Sequence, residues 1–472
     1  MTISLSASPT RPARLGAFSR WLAVALPCLL VGCSVGPDYH RPDTPTPPDW
    51  VASAGTAEWP SLDWWHGFKS TALDTYVDQA KQANFDLAAA MARIREADAQ
   101  AEIAGAPLFP SIGANANVTH ERSSAGAGLK TFTEYAPGLT ASYELDFWGK
   151  NRAAAEAAQQ TALASRFDQE TVELTVLTGT ANSYFQALTF RDRLAVAEEN
   201  LSSAETILKG LELQEQTGVA NALDVAQQQT TVSTLNSTIP PLRQQLQQNL
   251  DALAILLGQP AQSVQLAPGT LGDLAFPIVA PGLPSELLVR RPDVAEAEAQ
   301  LKSANANITV ARAAYFPSIS LTGSGGFAST VLGSAFNPAN GIFALAAGLT
   351  QPIFEGGAIE GQYEQSKARY DELVADYKKS VISAFSNVQD ALTAVQQTTD
   401  QLVRQQAAQA AAERAYSIAQ SQLHAGTINI LTVLNTEGAL FTARDATVQA
   451  RLARLQALVS LFNALGGGWQ QS

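Results

Sequence analysis

Residues 109–119 read FPSIGANANVT and residues 316–322 read FPSISLT, so the motif Phe-Pro-Ser-Ile occurs twice, 207 positions apart. The flanking sequence repeats at the same interval or one position more, since 85–87 (FDL) corresponds to 292–294 (PDV) and Gly218 corresponds to Gly426. Several matched segments separated by almost the same number of residues indicate an internal duplication. A period this long excludes the repeats of about 20 to 50 residues found in solenoids. The chain therefore consists of two similar halves.

Each copy of the motif begins a stretch in which apolar and polar side chains alternate. The alternation covers 111–119 and 139–147 in the first half, and 318–322 and 343–349 in the second. A period of two predicts four strands, and roughly 9–11 residues is the length of a tilted transmembrane strand. A single pair of this kind would equally fit a hairpin on a soluble core. The glycine-rich run 323–326 is expected to form a hairpin bend rather than a phosphate-binding loop, because no helical pattern follows it.

Very long helices are predicted after each strand pair. Residues 362–425 contain neither Gly nor Pro, and a helix of this length would span roughly 96 Å. The corresponding run 150–217 is interrupted only by two glycines. Each run ends at a glycine turn, at Gly218 and at Gly426, after which a second helix returns. Each half is therefore expected to contain two long helices joined by a glycine turn.

Shorter helical segments are bounded by prolines. Residues 71–104 carry apolar side chains at near-helical spacing and no Gly or Pro, which predicts one helix that ends before Pro107. The helix that returns after Gly218 is expected to break at Pro240 and Pro241, because proline removes backbone hydrogen bonds.

The N-terminus has the features of a secretory signal peptide. Three arginines and no acidic residue precede the apolar run 21–31, which is too short to span a bilayer stably. The run ends in 30–33 (LVGC), which resembles a lipobox and predicts acylation of Cys33 as the first mature residue. Cys28 lies in the segment to be removed, so no disulfide is expected. In lipoproteins, Ser34 at the next position implies sorting to the outer membrane.

Composition and motifs argue against several classes of function. The net charge is −13, or −16 without the arginines of the signal peptide, which argues against a nucleic-acid partner. The chain has no His-Glu-x-x-His or Cys-x-x-Cys motif, so we expect no enzyme activity, no metal site and no cofactor other than lipid on Cys33. The four histidines are scattered: His40, His66, His120 and His424.

Four strands cannot close a membrane barrel on their own. The smallest closed barrels have about eight strands, and open edges cannot face lipid because each unpaired backbone group costs several kcal/mol. Two copies would give about eight strands around a filled interior, whereas three would give about twelve around a water-filled lumen. The strands' polar faces of Ser, Thr, Asn and Gly suit water, which favours a homotrimer. The predicted fold is an α+β membrane protein with a long α-helical barrel and a transmembrane β-barrel shared between three chains.

Further motifs carry a family resemblance. With the lipobox, residues 144–149 (ELDFWG), 290–293 (RRPD), 313–319 (AAYFPSI) and 464–469 (ALGGGW) resemble the TolC-like outer-membrane factor family, in particular its NodT/OprM-type lipoproteins. The resemblance covers nearly the whole mature chain. It implies a trimer in the outer membrane of a Gram-negative bacterium that extends into the periplasm and docks to a membrane-fusion adaptor and an inner-membrane RND pump. It also implies passive conduction of drugs and other small molecules.

The resemblance also places a gate just after the second helical turn. The family's hydrophobic gate position falls on Leu431, which keeps that character. Its aspartate falls on Asn435, its arginine on Gly438 and its tyrosine on Leu423. Without the carboxylate and the guanidinium no charge-assisted lock can form, so we expect Leu431 to gate the channel. Asp224, at the matching first turn, is a further gate candidate, with capping of the following helix as the alternative.

Candidate docking positions for the adaptor are Gly218, Val219, Gly426 and Thr427 at the two turns. Alternative functions are an outer-membrane channel for type I protein secretion or metal-ion efflux, and, more remotely, a periplasmic coiled-coil adaptor lipoprotein. Metal export is disfavoured because the chain has only two methionines and no His or Met cluster. An adaptor hairpin does not explain four strands between the helices. The predicted segments are a signal peptide at 1–32, a lipid-anchored extended segment at 33–60, a first repeat at 61–265, a linker at 266–284, a second repeat at 285–465 and a tail at 466–472.

Overall fold

The computed structural model describes residues 35–47, 50, 59–124, 129–279, 282 and 284–470. Its chain divides into two compact units, each built from parts of both halves. One unit joins the residues up to His40 with 99–160 and 302–372, and contains the strands. The other joins 41–98, 161–301 and 373–472 and is helical. The predicted signal peptide and Cys33 lie outside the described residues.

The helices repeat in kind and in length between the two halves. The α-helices of the described residues are α1 (Thr71–Ala83), α2 (Phe85–Gly105), α3 (Lys150–Gln216), α4 (Ala222–Leu256), α5 (Pro292–Ala313), α6 (Ala358–His424) and α7 (Ile430–Ala464). Helices α3 and α6 each contain 67 residues, and α4 and α7 each contain 35. These equal lengths confirm the internal duplication. Among the described residues, none of the helices combines the length and apolar composition needed to cross a membrane.

The predicted single helix over 71–104 is in fact two helices, separated at Asn84. Asn84 is extended, with φ −67° and ψ 131°. Its Oδ1 accepts hydrogen bonds from the backbone N–H groups of Asp86 (2.8 Å) and Leu87 (3.1 Å) and so starts α2. Its Nδ2 donates to the carbonyl oxygen of Leu256 at 2.9 Å. The break therefore depends on a partner at the end of α4.

The expected break at Pro240 and Pro241 is absent, and α4 runs through both prolines. The flanking side chains Ile239 and Leu242 are buried against an apolar face of α3 around Ala197. Burial of apolar area stabilises the helix by about 25 cal/mol per Å², which offsets the lost backbone hydrogen bonds.

The four strands form one antiparallel sheet in the order β1-β2-β3-β4. The strands are β1 (Ser111–Ser124), β2 (Leu129–Leu145), β3 (Ser318–Phe327) and β4 (Gly341–Thr350). Ser142 of β2 lies opposite Ser111 of β1 and Thr322 of β3. The first pair is longer than predicted, at 14 and 17 residues, whereas β3 and β4 have 10 each. Strands β1 and β4 are the edges.

The run 323–326 lies inside β3 and is not the predicted hairpin bend. Gly326 pairs with Gly138 of β2, and an added Cβ atom on Gly326 would lie 2.4 Å from the carbonyl oxygen of Pro137. Glycine is therefore needed here because two strand backbones approach closely, not because the chain turns.

The ELDFWG motif ends β2 and begins α3. The Asp146 carboxylate accepts hydrogen bonds from the backbone N–H groups of Asn151 (3.0 Å) and Arg152 (2.9 Å). The Trp148 indole N–H donates to the carbonyl oxygen of Pro317 at 2.8 Å, in the second Phe-Pro-Ser-Ile motif. The two motifs thus form contacts with each other where β2 ends and just before β3 begins.

A large apolar core lies among the described residues of the helical unit. The Trp64 ring stacks on that of Phe462 with centroids 4.8 Å apart. Around this pair lie fully buried side chains from α1, α3, α4 and α7, including Leu73, Phe185, Leu253 and Leu455. Both halves of the chain thus contribute to the same core.

Candidate gating and docking site

The first helical turn is a glycine-capped Schellman motif. Gly218 has φ +75°, a left-handed conformation that disfavours side chains. Its N–H donates to the carbonyl oxygen of Glu215 (2.9 Å), and the N–H of Val219 donates to that of Gln214 (2.8 Å). The Val219 side chain is 78% exposed. The turn therefore satisfies its own backbone and presents an apolar side chain outward.

The second turn repeats this geometry. Gly426 has φ +69°, its N–H donates to the carbonyl oxygen of Leu423 (2.9 Å), and that of Thr427 donates to Gln422 (3.0 Å). Asn429 then caps α7 by accepting a hydrogen bond from the Thr432 N–H (3.2 Å). The four predicted docking positions thus occupy matching places in two equivalent turns. Their role in docking stays a prediction.

The gate candidates on α7 share one face of the helix. Leu431 is 45% exposed, and Asn435 and Gly438 are exposed as well. Residues spaced by three or four positions lie on the same side of a helix. The predicted gate residue Leu431 thus lies on the same face as Asn435 and Gly438, the two positions that differ from the family pattern. We call these three residues the gate stripe. Gating by Leu431 stays a prediction.

The two other gate candidates are partly buried. Asp224 forms a capping box, in which its N–H donates to Asn221 Oδ1 (3.0 Å) and its carboxylate accepts from the Asn221 N–H (3.4 Å). This is the capping arrangement considered from the sequence, and it occupies one carboxylate oxygen. Leu423 is half-buried at the end of α6. Their gating roles likewise stay predictions.

A buried carboxylate behind the gate stripe was missed by the sequence reasoning. Glu437 is only 1% exposed, on the side of α7 opposite the gate stripe, together with Val433 and Leu440. Burial raises the pKa of the Glu437 carboxyl to about 7, against a lowering by the Tyr416 hydroxyl. The sequence indicates this position through its spacing: Glu437 comes four residues after Val433 and three before Leu440, which places a charged residue on an apolar helix face.

Ion pairs join α3 to α7 further from the turns. Arg193 forms a two-pronged pair with Asp445, with N–O distances of 2.6 and 3.2 Å. Arg444 pairs with Glu199 at 3.0 Å. A bidentate guanidinium–carboxylate pair fixes geometry as well as charge, so the two hairpins are held in register here.

The segment that follows Cys33 packs on α5. In the unit that contains the strands, Asn305 Nδ2 donates to the carbonyl oxygen of Pro37 (3.1 Å), and the Lys302 ammonium lies 5.5 Å from the Tyr39 ring centroid. In the helical unit, Arg41 pairs with the buried Glu298. In the described part of the chain, no group of three or more His, Cys, Asp or Glu side chains is placed to hold a metal ion.

Two segments of the chain, residues 76–259 and 283–467, match the sequence profile of the outer membrane efflux protein family. The chain belongs to this family. Over 461 residues it is 40% identical to the pyoverdine export outer membrane protein OpmQ of Pseudomonas aeruginosa, covering 95% of this chain and 97% of that relative. It is 33% identical over 447 residues to the cation efflux system protein CusC of Escherichia coli, covering 94% and 97%.

The fold agrees with solved outer membrane efflux proteins. The structure of the outer-membrane channel OprN superposes with a TM-score of 0.88 at 27% identity, covering 93% of this chain and all of that chain. The predicted fold class, with long helices and a small number of strands, is therefore confirmed. So is the predicted function as an outer-membrane efflux channel. An efflux channel is not an enzyme, in keeping with the predicted class of function.

Proposed function

We propose that three copies of this chain form the passive exit duct of a tripartite efflux system. Each copy contributes four strands to one twelve-stranded barrel in the outer membrane, and its long helices continue the duct into the periplasm. The duct conducts small organic molecules, drugs included. Its direction and energy come from an inner-membrane RND pump, which is a separate chain.

The observation that carries this proposal is the sheet itself. Its edges, β1 and β4, have no strand partner within the described chain. Large apolar side chains on β4 are exposed, with Phe343 at 84% and Leu345 at 83%. Unpaired edges and bare apolar faces are both costly in water, and unpaired edges are costly in lipid too. Joining β1 of one copy to β4 of the next removes the edges and leaves the apolar faces to lipid.

The attachment and the partners complete the proposal. Acylation of Cys33 holds the N-terminus at the outer membrane, and the contacts of Pro37 and Tyr39 on α5 fix the chain soon after that residue. A periplasmic adaptor docks at the two turns, where Val219 is exposed and the backbone is satisfied internally.

Sequence identity to relatives of known cargo favours organic molecules over bare cations as the cargo of this chain. The chain is 40% identical to a pyoverdine export protein and 33% identical to a cation efflux protein. One architecture thus serves relatives with different cargo, which supports placing selection in the pump and not in the duct.

Disulfide trapping tests the shared barrel. If acylated, Cys33 has no free thiol, so introduced cysteines are the reactive ones. Ala116→Cys on β1 is combined in turn with Phe343→Cys, Leu345→Cys and Ala347→Cys on β4, which covers the unknown register between copies. The control Ser142→Cys/Thr322→Cys lies opposite within one chain.

We expect at least one β1–β4 pair to yield, on oxidation in detergent, covalent species of up to three chains. The control pair should remain at one chain. Only single chains for every β1–β4 pair, or a limit of two chains, would reject the shared twelve-stranded barrel.

A further inference from the structure

The carboxylate of Glu437 is buried without a counter-ion. The residue is 1% exposed, and among the described residues no donor with normal hydrogen-bond geometry reaches either of its oxygens. Removing an ionised carboxylate from water without a partner is costly, so the neutral acid is the form that suits this position.

The ionisable groups near Glu437 supply no counter-ion for its carboxylate. Tyr416 of α6 faces it, and the Tyr416 hydroxyl accepts a hydrogen bond from Gln420 at 2.8 Å. Arg444 of α7, whose charge acts on Tyr416, pairs with Glu199 of α3 (3.0 Å) and lies 3.8 Å from Glu413 of α6. The phenol of Tyr416 is therefore the ionisable neighbour of Glu437, and its own O–H favours the ionised carboxyl less strongly than burial disfavours it.

The residue after Glu437 makes the start of α7 easy to deform. Gly438 lies within α7, and an added Cβ atom there would meet nothing within 4 Å. Glycine in a helix interior makes a helix less stable than alanine would at the same position. The first eight residues of α7, Ile430 to Glu437, carry Leu431 and Asn435 and end at this weak point. Their packing on the buried side depends on Val433 and Glu437.

We propose that Glu437 is a positioning residue of the periplasmic gate: its ionisation loosens the packing of the first eight residues of α7 and so releases the gate stripe. This inference rests on the proposed function, because it takes the helical turns to be the narrow end of the duct. The protonated side chain keeps the segment packed, and the ionised side chain moves toward water.

The direction of the pH effect follows from the burial of the carboxyl. Burial raises the pKa of Glu437 to about 7 in the packed state, whereas the loosened state has an ordinary glutamate pKa near 4.5. The packed state binds the proton more tightly. Its stability is therefore full at acid pH and falls as the pH rises from about 4.5 to about 7.

Hydrogen exchange of the full-length protein in detergent tests this inference. Backbone amide protection over residues 433–441, corrected for the intrinsic exchange rate, is measured from pH 5.5 to pH 8. The variants are Glu437→Gln, which is neutral and nearly isosteric, and Glu437→Leu, which is apolar. The control is Asp400→Asn, an exposed carboxylate of α6.

We expect protection in the wild type and in Asp400→Asn to fall by about tenfold or more over this range. Both Glu437 variants should keep the acid value throughout, and either one suffices if the other does not fold. Constant protection in the wild type, or the same fall in a folded Glu437 variant, would overturn the inference.

Conductance of the same samples in planar bilayers separates the two proposals. A protein that conducts, but whose exchange does not depend on Glu437, overturns this inference and leaves the duct intact. A protein that forms no channel overturns the duct, and the exchange data then show whether Glu437 controls α7 packing at all.

Discussion

Gly466 packs directly against the backbone of Arg290: a Cβ atom on Gly466 would lie 2.0 Å from the Arg290 carbonyl oxygen. The first half contains the same contact, because a Cβ atom on Gly258 would lie 2.1 Å from the carbonyl oxygen of Ala83. Both glycines are left-handed, with φ +81° and +65°. In each half the glycine after a returning helix thus lies against the residue two positions before the start of a shorter helix. The duplication extends to single atomic contacts.

Gly466→Ala is predicted to destabilise the protein. The new methyl group meets backbone and the φ value is unfavourable, so we expect a loss of about 2–3 kcal/mol. Thermal unfolding followed by the helical circular dichroism signal measures it. Gly210→Ala is the matched control, because Gly210 is helical with open space around it and should gain about 0.5–1 kcal/mol. Equal midpoints for Gly466→Ala and the wild type would contradict the contact.

Asn84→Ala is predicted to cost about 1–2 kcal/mol, because it removes the cap of α2 and the hydrogen bond to Leu256. Asn84→Ser keeps a side-chain acceptor for the cap but loses the donor to Leu256, so its free energy of unfolding should lie between those of the wild type and Asn84→Ala. The free energy of unfolding in urea distinguishes the three proteins. A loss in Asn84→Ser as large as that in Asn84→Ala would show that the cap contributes nothing.

Glu296→Gln is predicted to change how stability depends on pH. Burial, and then the charges of Asp168 and Asp293, raise the pKa of Glu296 to about 7. The folded state binds this proton more tightly, so its contribution to stability is lost as the pH rises from about 4.5 to about 7. The thermal midpoint of the variant, relative to that of the wild type at the same pH, should therefore rise between pH 5 and pH 8. Glu205→Gln, at an exposed site, should track the wild type, and a parallel course for Glu296→Gln would refute the effect.

Leu431→Ala is predicted to favour the open channel. Loss of about 1 kcal/mol of apolar contact per copy shifts the opening equilibrium about fivefold for each copy, or about a hundredfold if three copies open together. Single-channel recording of the purified protein measures open probability and conductance. Leu62→Ala removes an exposed leucine outside the turns and should leave both unchanged. Unaltered recordings for Leu431→Ala would remove Leu431 from the gate.

Cys33→Ala is predicted to abolish lipidation. Intact-mass measurement of the detergent-extracted wild type should give a triacylated chain that begins at Cys33, whereas the variant should carry no acyl group. Cys28→Ala is the control, because Cys28 lies in the segment expected to be removed. An unmodified wild-type mass would reject the anchor.

Much of the architecture was predictable from the sequence, because it depends on local patterns. Alternation along 111–119 and 343–349 places strands, and the long stretches without Gly or Pro place α3 and α6. Gly218 and Gly426 mark turns because only glycine adopts the left-handed conformation at little cost. These features need no knowledge of distant residues.

Tertiary structure decided the features that depend on a distant partner. Asn84 breaks a helix because the carbonyl of Leu256 is beside it, and Gly326 stays in a strand because Pro137 approaches its backbone. Pro240 remains helical because its neighbours are buried against α3. The spacing of Glu437 from Val433 and Leu440 places it on an apolar helix face, but only the packing around that face removes it from water and raises its pKa. Local sequence thus determines which elements form, whereas burial and hydrogen bonding between distant segments determine where they break and which groups become costly to ionise.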